Sequence, residues 1–125
     1  MGFAVHVQNH GDFVRLRCLG RLVFDEGTHA LRAAVVAQKA NRLLLDLAEM
    51  EAIDAAGVGT LISLHQRVSS GGGTLVVARP NPRVLRVLRV TKADTVLNLH
   101  LPEQNAIAAL FTRATAPMRD WMFSL

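Results

Sequence analysis

Leu43-Leu44-Leu45-Asp46-Leu47, a short acidic link from Glu49, and then Ile53-Asp54-Ala55-Ala56-Gly57-Val58-Gly59-Thr60-Leu61: this stretch decides the fold. The leucine run is entered from Asn41-Arg42 and is apolar on both alternating sides, as in a central strand covered on both faces. The link Glu49 to Asp54 reads as a solvated acidic connection. Asp54 is placed to cap a following helix by accepting a backbone N–H bond. Leu61, Leu64, His65 and Val68 give that helix its i, i+3, i+4, i+7 stripe. Gly57 and Gly59 fall inside its first turns, where each costs about 1 kcal/mol of helix propensity relative to alanine. Two such penalties call for close approach by another backbone, either a neighbouring strand or a partner surface.

Working upstream, Phe3, Val5 and Val7 alternate with polar or small residues, and His10-Gly11-Asp12 is a turn signal. Phe13 to Leu19 alternates again, with Val14, Leu16 and Cys18 on one side and Arg15 and Arg17 on the other. These segments predict an N-terminal hairpin, followed by a short strand over Gly20 to Phe24. Glu26 to Lys39 turns helical, with Leu31, Ala34, Val35 and Gln38 along one stripe. Downstream, Ser69 to Gly73 breaks the central helix, and Thr74 to Ala78 reads as another buried strand. Pro80 and Pro82 open a third helix carrying Val84, Leu85 and Leu88. Val96, Leu97, Leu99 and Leu101 predict a last strand, and Pro102-Glu103 starts a fourth helix with Ile107, Leu110, Phe111 and Ala114 on one face. Strand and helix alternate after the hairpin. The fold class is therefore α/β, a small mixed, partly parallel sheet with about four flanking helices.

Composition agrees with one ordered domain: 125 residues, 50% hydrophobic and 19% charged. The apolar runs are short and interrupted, so no membrane insertion is expected. With neither a signal-peptide pattern nor more than one cysteine, Cys18, a reduced, cytoplasmic setting is the simplest reading. The net charge is +4, with one basic concentration at Arg79, Arg83, Arg86, Arg89 and Lys92. No aromatic lies among those residues to stack on bases. They read as a solvated helix face, and specific nucleic-acid binding is not expected.

Candidate chemistry is sparse. His6, His10, His29, His65 and His100 are spread over different elements and complete no metal-ligand spacing, so no metal or cofactor is expected. Cys18 sits mid-strand as a buried structural thiol. Gly71-Gly72-Gly73 lies between a helix and a strand, the reverse of the order a phosphate loop requires. Asp46, Glu49, Glu51 and Asp54 gather near strand ends without a nucleophile. They could assist acid–base catalysis or hold magnesium, but a solvated acidic loop needs fewer assumptions, and an enzyme has little support.

The segment Ile53-Asp54-x-x-Gly57-Val58-Gly59-x-Leu61, entered from a strand, resembles the signature of STAS domains found in bacterial anti-sigma factor antagonists. The likeness extends over roughly Phe3 to Arg113, including the Gly20-Arg21-Leu22 step and Gly73 to Ala78. It implies a single domain over residues 1–115 and a non-enzymatic role in protein binding. It further implies a partner, an anti-sigma factor of histidine-kinase-like ATPase fold, which phosphorylates the first Ser or Thr after the aspartate. Here the acceptor position is Ala55 and the next is Ala56, so neither can take a phosphoryl group. Thr60 and Ser63, farther along, are weak substitutes. The partner-binding surface implied is Asp54, Ala55, Ala56, Gly57, Val58, Gly59 and Thr60.

The missing hydroxyl is compatible with an antagonist that binds constitutively. The alternative, also compatible, is a STAS adaptor subunit of another assembly, such as a lipid-transport ABC complex. A nucleotide-binding domain using the helix N-terminus ranks last. The apolar extension over residues 116–125, with Trp121, Met118 and Met122, is expected to bury itself against the domain, a second copy in a homodimer, or a partner.

Overall fold

The computed structural model describes residues 2–112, so the expected extension, Ala114 and the end of the expected domain lie outside the described residues. The hairpin is β1 (Phe3–Asn9) and β2 (Val14–Leu22), paired antiparallel from Phe3↔Gly20 to Asn9↔Val14. α1 (Glu26–Val36) leads to β3 (Arg42–Ile53), α2 (Ala55–Ser70) and β4 (Thr74–Ala78). α3 (Pro82–Val90), a 3-10 turn (Ala93–Thr95), β5 (Asn98–His100) and α4 (Glu103–Leu110) follow. The sheet order is β1-β2-β3-β4-β5, with every pair after the hairpin parallel.

The leucine run is central for the reason its composition implies. Leu43, Leu45 and Leu47 join Leu16, Cys18, Leu75 and Val77 in the larger core beneath α1, α2 and α3. Leu44 points the other way and packs with Phe13, Val76 and Ala78 under Ala106 and Leu110 of α4. A fully buried leucine contributes roughly 1.5–3 kcal/mol, so breaking either layer would be felt throughout the sheet. α4 is pinned at both ends. Glu103 in its first turn pairs with Arg15, and Arg42 Nε donates to the Leu110 carbonyl at 3.1 Å while its guanidinium lies 4.5 Å from the Phe111 ring centre.

Three expectations are corrected by this arrangement. Glu49 to Ile53 is not a connection, because β3 continues to Ile53. Register shifts against β2 break its two-residue alternation, so Leu47, Met50 and Ile53 face inward three apart. Gly20 to Phe24 is not a separate strand, because β2 runs through to Leu22. Gly20 adopts φ 98°, and a Cβ there would lie 2.3 Å from the Gly2 carbonyl oxygen, so the glycine permits the hairpin to close. The last strand is only Asn98–His100, with Val96 and Leu97 in the turn before it and Leu101 exposed after it. In addition, α1 stops at Val36 rather than Lys39, and Phe111 falls just past α4.

Gly71-Gly72-Gly73 closes α2, with the Gly73 N–H donating to the Val68 carbonyl at 2.9 Å. Asn81 caps α3 by accepting from the Val84 N–H at 2.8 Å, and its own amide donates to the Met50 carbonyl at 2.8 Å. That pair of bonds seats α3 beside the second half of β3. Among the described residues no helix is long and apolar enough to cross a membrane.

Cys18 is fully buried, and burial with the Asp46 charge pushes its thiol up to about 12. The native protein should therefore leave a thiol reagent such as dithionitrobenzoate unreacted at pH 8, the thiol titrating only once denaturant is added. Rapid native-state labelling would contradict the packing described here.

Candidate protein-interaction site

The C-terminal ends of the parallel strands share one edge of the sheet, where ligands and partners of open α/β sheets commonly dock. Asp54 leaves β3 at this edge with extended backbone, and its N–H donates to the Leu22 carbonyl at 3.3 Å. One carboxylate oxygen accepts the Gly57 N–H at 2.8 Å and caps α2. The other accepts the Phe24 N–H at 3.1 Å, tying the end of β2 to the start of α2. The capping role was legible in the sequence. The second bond was not, because it joins residues thirty positions apart.

The seven expected surface residues divide sharply. Gly57, Val58 and Thr60 are buried, Asp54 and Ala56 are half-buried, and Ala55 and Gly59 are exposed. The two glycines therefore have different reasons. A Cβ on Gly57 would lie 2.3 Å from the Leu22 carbonyl oxygen and 2.7 Å from Ile53 Cγ1, so intramolecular packing accounts for it. A Cβ on Gly59 would meet nothing within 4 Å. Only Gly59 leaves open space to a partner. Ala55 and Gly59 are one turn apart on the same face, a smooth patch without a hydroxyl.

The nearby hydroxyls are engaged. Thr60 Oγ1 donates to the Ala56 carbonyl at 2.9 Å within a residue that is 4% exposed. Ser63 accepts from Arg32 at 3.3 Å across the α1–α2 seam.

The carboxylates expected to form a solvated acidic loop instead lie on or after β3, where Glu49 and Glu51 are exposed as expected and Asp46 and Asp54 are drawn into the structure. Asp46, only 3% exposed, accepts from Arg79 at 2.7 and 3.2 Å and from Arg15 at 3.3 Å. Burial pushes its carboxyl up, but the Arg79 hydrogen bond, the Ala48 N–H and the two guanidinium charges outweigh that and hold it below the usual range. Glu49 accepts from Arg17 Nε at 3.0 Å. Arg79 thus leaves the basic helix face to which the sequence assigned it. It precedes α3 and turns back onto the sheet, while Arg83, Arg86 and Arg89 stay exposed. Among the described residues no group of His, Cys, Asp or Glu is arranged to hold a metal. A hollow of about 460 Å³ lined by Asn41, Arg42, Ser69, Gly73 and Thr74 sits at the opposite end of the sheet from Asp54.

With this topology and strand-edge segment in place, comparison with known families decides the matter: residues 7–106 match the STAS domain model. The chain belongs to the STAS domain family. Its STAS domain is 37% identical over 60 residues to a candidate anti-sigma factor antagonist of Thermotoga neapolitana, covering 48% of this chain and 53% of the relative. The chain thus spans about half the length of that relative. An anti-sigma F factor antagonist of Paenibacillus polymyxa is 21% identical over 113 residues, covering 88% of this chain and 97% of the relative. The crystal structure of a candidate anti-sigma factor antagonist from Thermotoga maritima superimposes with a TM-score of 0.77 at 24% identity, covering 86% of this chain and 95% of that one. The STAS domain therefore has the expected fold, a mixed five-stranded sheet opened by a hairpin and flanked by four helices.

Proposed function

We propose that this STAS domain is a non-enzymatic, cytoplasmic protein-binding module that acts as an anti-sigma factor antagonist, docking through the start of α2. The observation that carries this reading is the exposed Ala55–Gly59 patch on a first turn braced by Asp54 to the end of β2. The partner is an anti-sigma factor of histidine-kinase-like ATPase fold. Binding is constitutive, because Ala55 has no hydroxyl and the Thr60 hydroxyl is buried against the Ala56 carbonyl.

The test is affinity capture from the native host, followed by titration of the captured anti-sigma factor against variants. Ala55→Glu should weaken binding at least about 10-fold, roughly 1.4 kcal/mol, by placing a charge in the contact. Its thermal midpoint should hardly change, since a helix N-terminus favours negative charge. With an ATP-competent partner, Ala55→Ser should become phosphorylated while the parent chain keeps its mass. Equal binding by Ala55→Glu and the parent would remove the patch from the interface.

A further inference from the structure

Strand alternation in β2 would put Phe24 on the same side as Leu22, which is fully buried. Instead Phe24 is 74% exposed, the most exposed phenylalanine among the described residues. The chain turns immediately after it: Asp25 takes φ 79° and ψ −101°, a positive-φ conformation outside the left-handed helical region that a non-glycine residue adopts only against strain. The Asp25 side chain makes no capping hydrogen bond to the start of α1. The turn is nevertheless held firmly. The Asp25 carbonyl accepts from the His29 N–H at 2.9 Å and from Thr28 Oγ1 at 3.0 Å, while the Phe24 N–H is fixed to Asp54 at 3.1 Å. These bonds, with the Asp25 carboxylate 3.7 Å from His29 Nε2, support the backbone at Asp25, whereas the exposed ring of Phe24 remains without cover among the described residues.

We infer that Phe24 is an anchor residue of the interface, its ring entering an apolar pocket on the partner protein while the Ala55–Gly59 patch lies flat against the pocket's rim. This rests on the partner-binding reading and adds to it a specificity-determining side chain outside α2. Asp54 is then a positioning residue, since one carboxylate holds both the anchor and the patch in register. An aromatic ring suits the task because it brings large contact area with little rotamer entropy to lose. Being exposed, it can be truncated without opening a cavity.

The experiment places the photocrosslinker p-benzoylphenylalanine at position 24, and separately at position 55, in the full chain expressed in its native host. The inference expects both positions to capture the same protein. It further expects Phe24→Ala to bind that purified protein about 10- to 100-fold more weakly with an unchanged thermal midpoint. Phe24→Leu should fall between the two. If position 55 captures a partner and position 24 captures none, or a different one, the anchor is refuted while the docking reading stands. Binding of Phe24→Ala within twofold of the parent refutes it equally. Capture at neither position overturns both.

Discussion

Gly57→Ala should destabilise the protein by about 1–3 kcal/mol, while Gly59→Ala, one half-turn away on the same helix, should stabilise it by about 0.5–1 kcal/mol. The opposite signs follow from what each new methyl group meets. At Gly57 it would lie 2.3 Å from the Leu22 carbonyl oxygen and 2.7 Å from Ile53 Cγ1. The first of these is main chain of β2, so relief requires α2 to move away from the sheet. The helix propensity gained there is smaller than the overpacking cost. At Gly59 nothing lies within 4 Å, so alanine gains propensity without a clash. Urea denaturation of the two variants at neutral pH would measure both. Gly57→Val should be worse still, with a larger side chain in the same gap. Equal effects at the two positions would mean that the helix does not dock on Leu22 as described. Gly59→Ala carries a second readout, because a methyl group on the smooth patch should weaken partner binding while raising stability.

Asp46→Ala should cost about 2–3 kcal/mol at neutral pH. Removing one member of a buried ion pair typically costs about 3–5 kcal/mol, and the lower figure applies because Arg79 can turn to water. Its side chain is 42% exposed, against 12% for Arg15 and 3% for Asp46. The loss should also show in the pH dependence. The folded protein holds the Asp46 carboxyl below its ordinary value, so its contribution is complete above the unfolded carboxylate range of about 4. It declines as the pH falls through that range toward the folded value, because the unfolded chain then binds the proton first. Thermal midpoints measured from pH 7 down to pH 3 should fall more steeply in the parent than in Asp46→Asn. A parent curve parallel to that of Asp46→Asn would mean the carboxylate is no more stabilised folded than unfolded. Arg79→Ala is the companion experiment. It should lose part of the same stability and part of the same acid sensitivity, since Arg15 still faces the carboxylate.

Both predictions concern features that the sequence displayed without resolving. The glycines stood out because they opposed helix propensity, but close packing and an open partner surface were equally good reasons for each. Only the position of Leu22 separates them, and Leu22 lies far away in the chain. Asp46 sat in a visible group of carboxylates. That it is buried against Arg79 and Arg15, and not solvated, depends on β2, β3 and the turn after β4 meeting in space. Phe24 read as part of a strand, since alternation carries no information about the backbone reversal at Asp25.

The sequence by itself determined the fold class, the hairpin, the central leucine strand, the Asp54 cap and the four helices. Each is encoded in local periodicity or in a residue's interaction with backbone two or three positions away. The family was equally legible, since its signature lies in one contiguous segment confirmed by a match over residues 7–106. Tertiary structure alone decided where β3 ends, because register shifts against β2 turned a two-residue alternation into a spacing of three at Leu47, Met50 and Ile53. It also decided which residues of the expected surface face water: Ala55 and Gly59 do, whereas Gly57, Val58 and Thr60 pack inward. The physical reason is common to both. Pairing register, burial and ion pairing are set by the elements on either side of a residue, and those neighbours are not its neighbours along the chain.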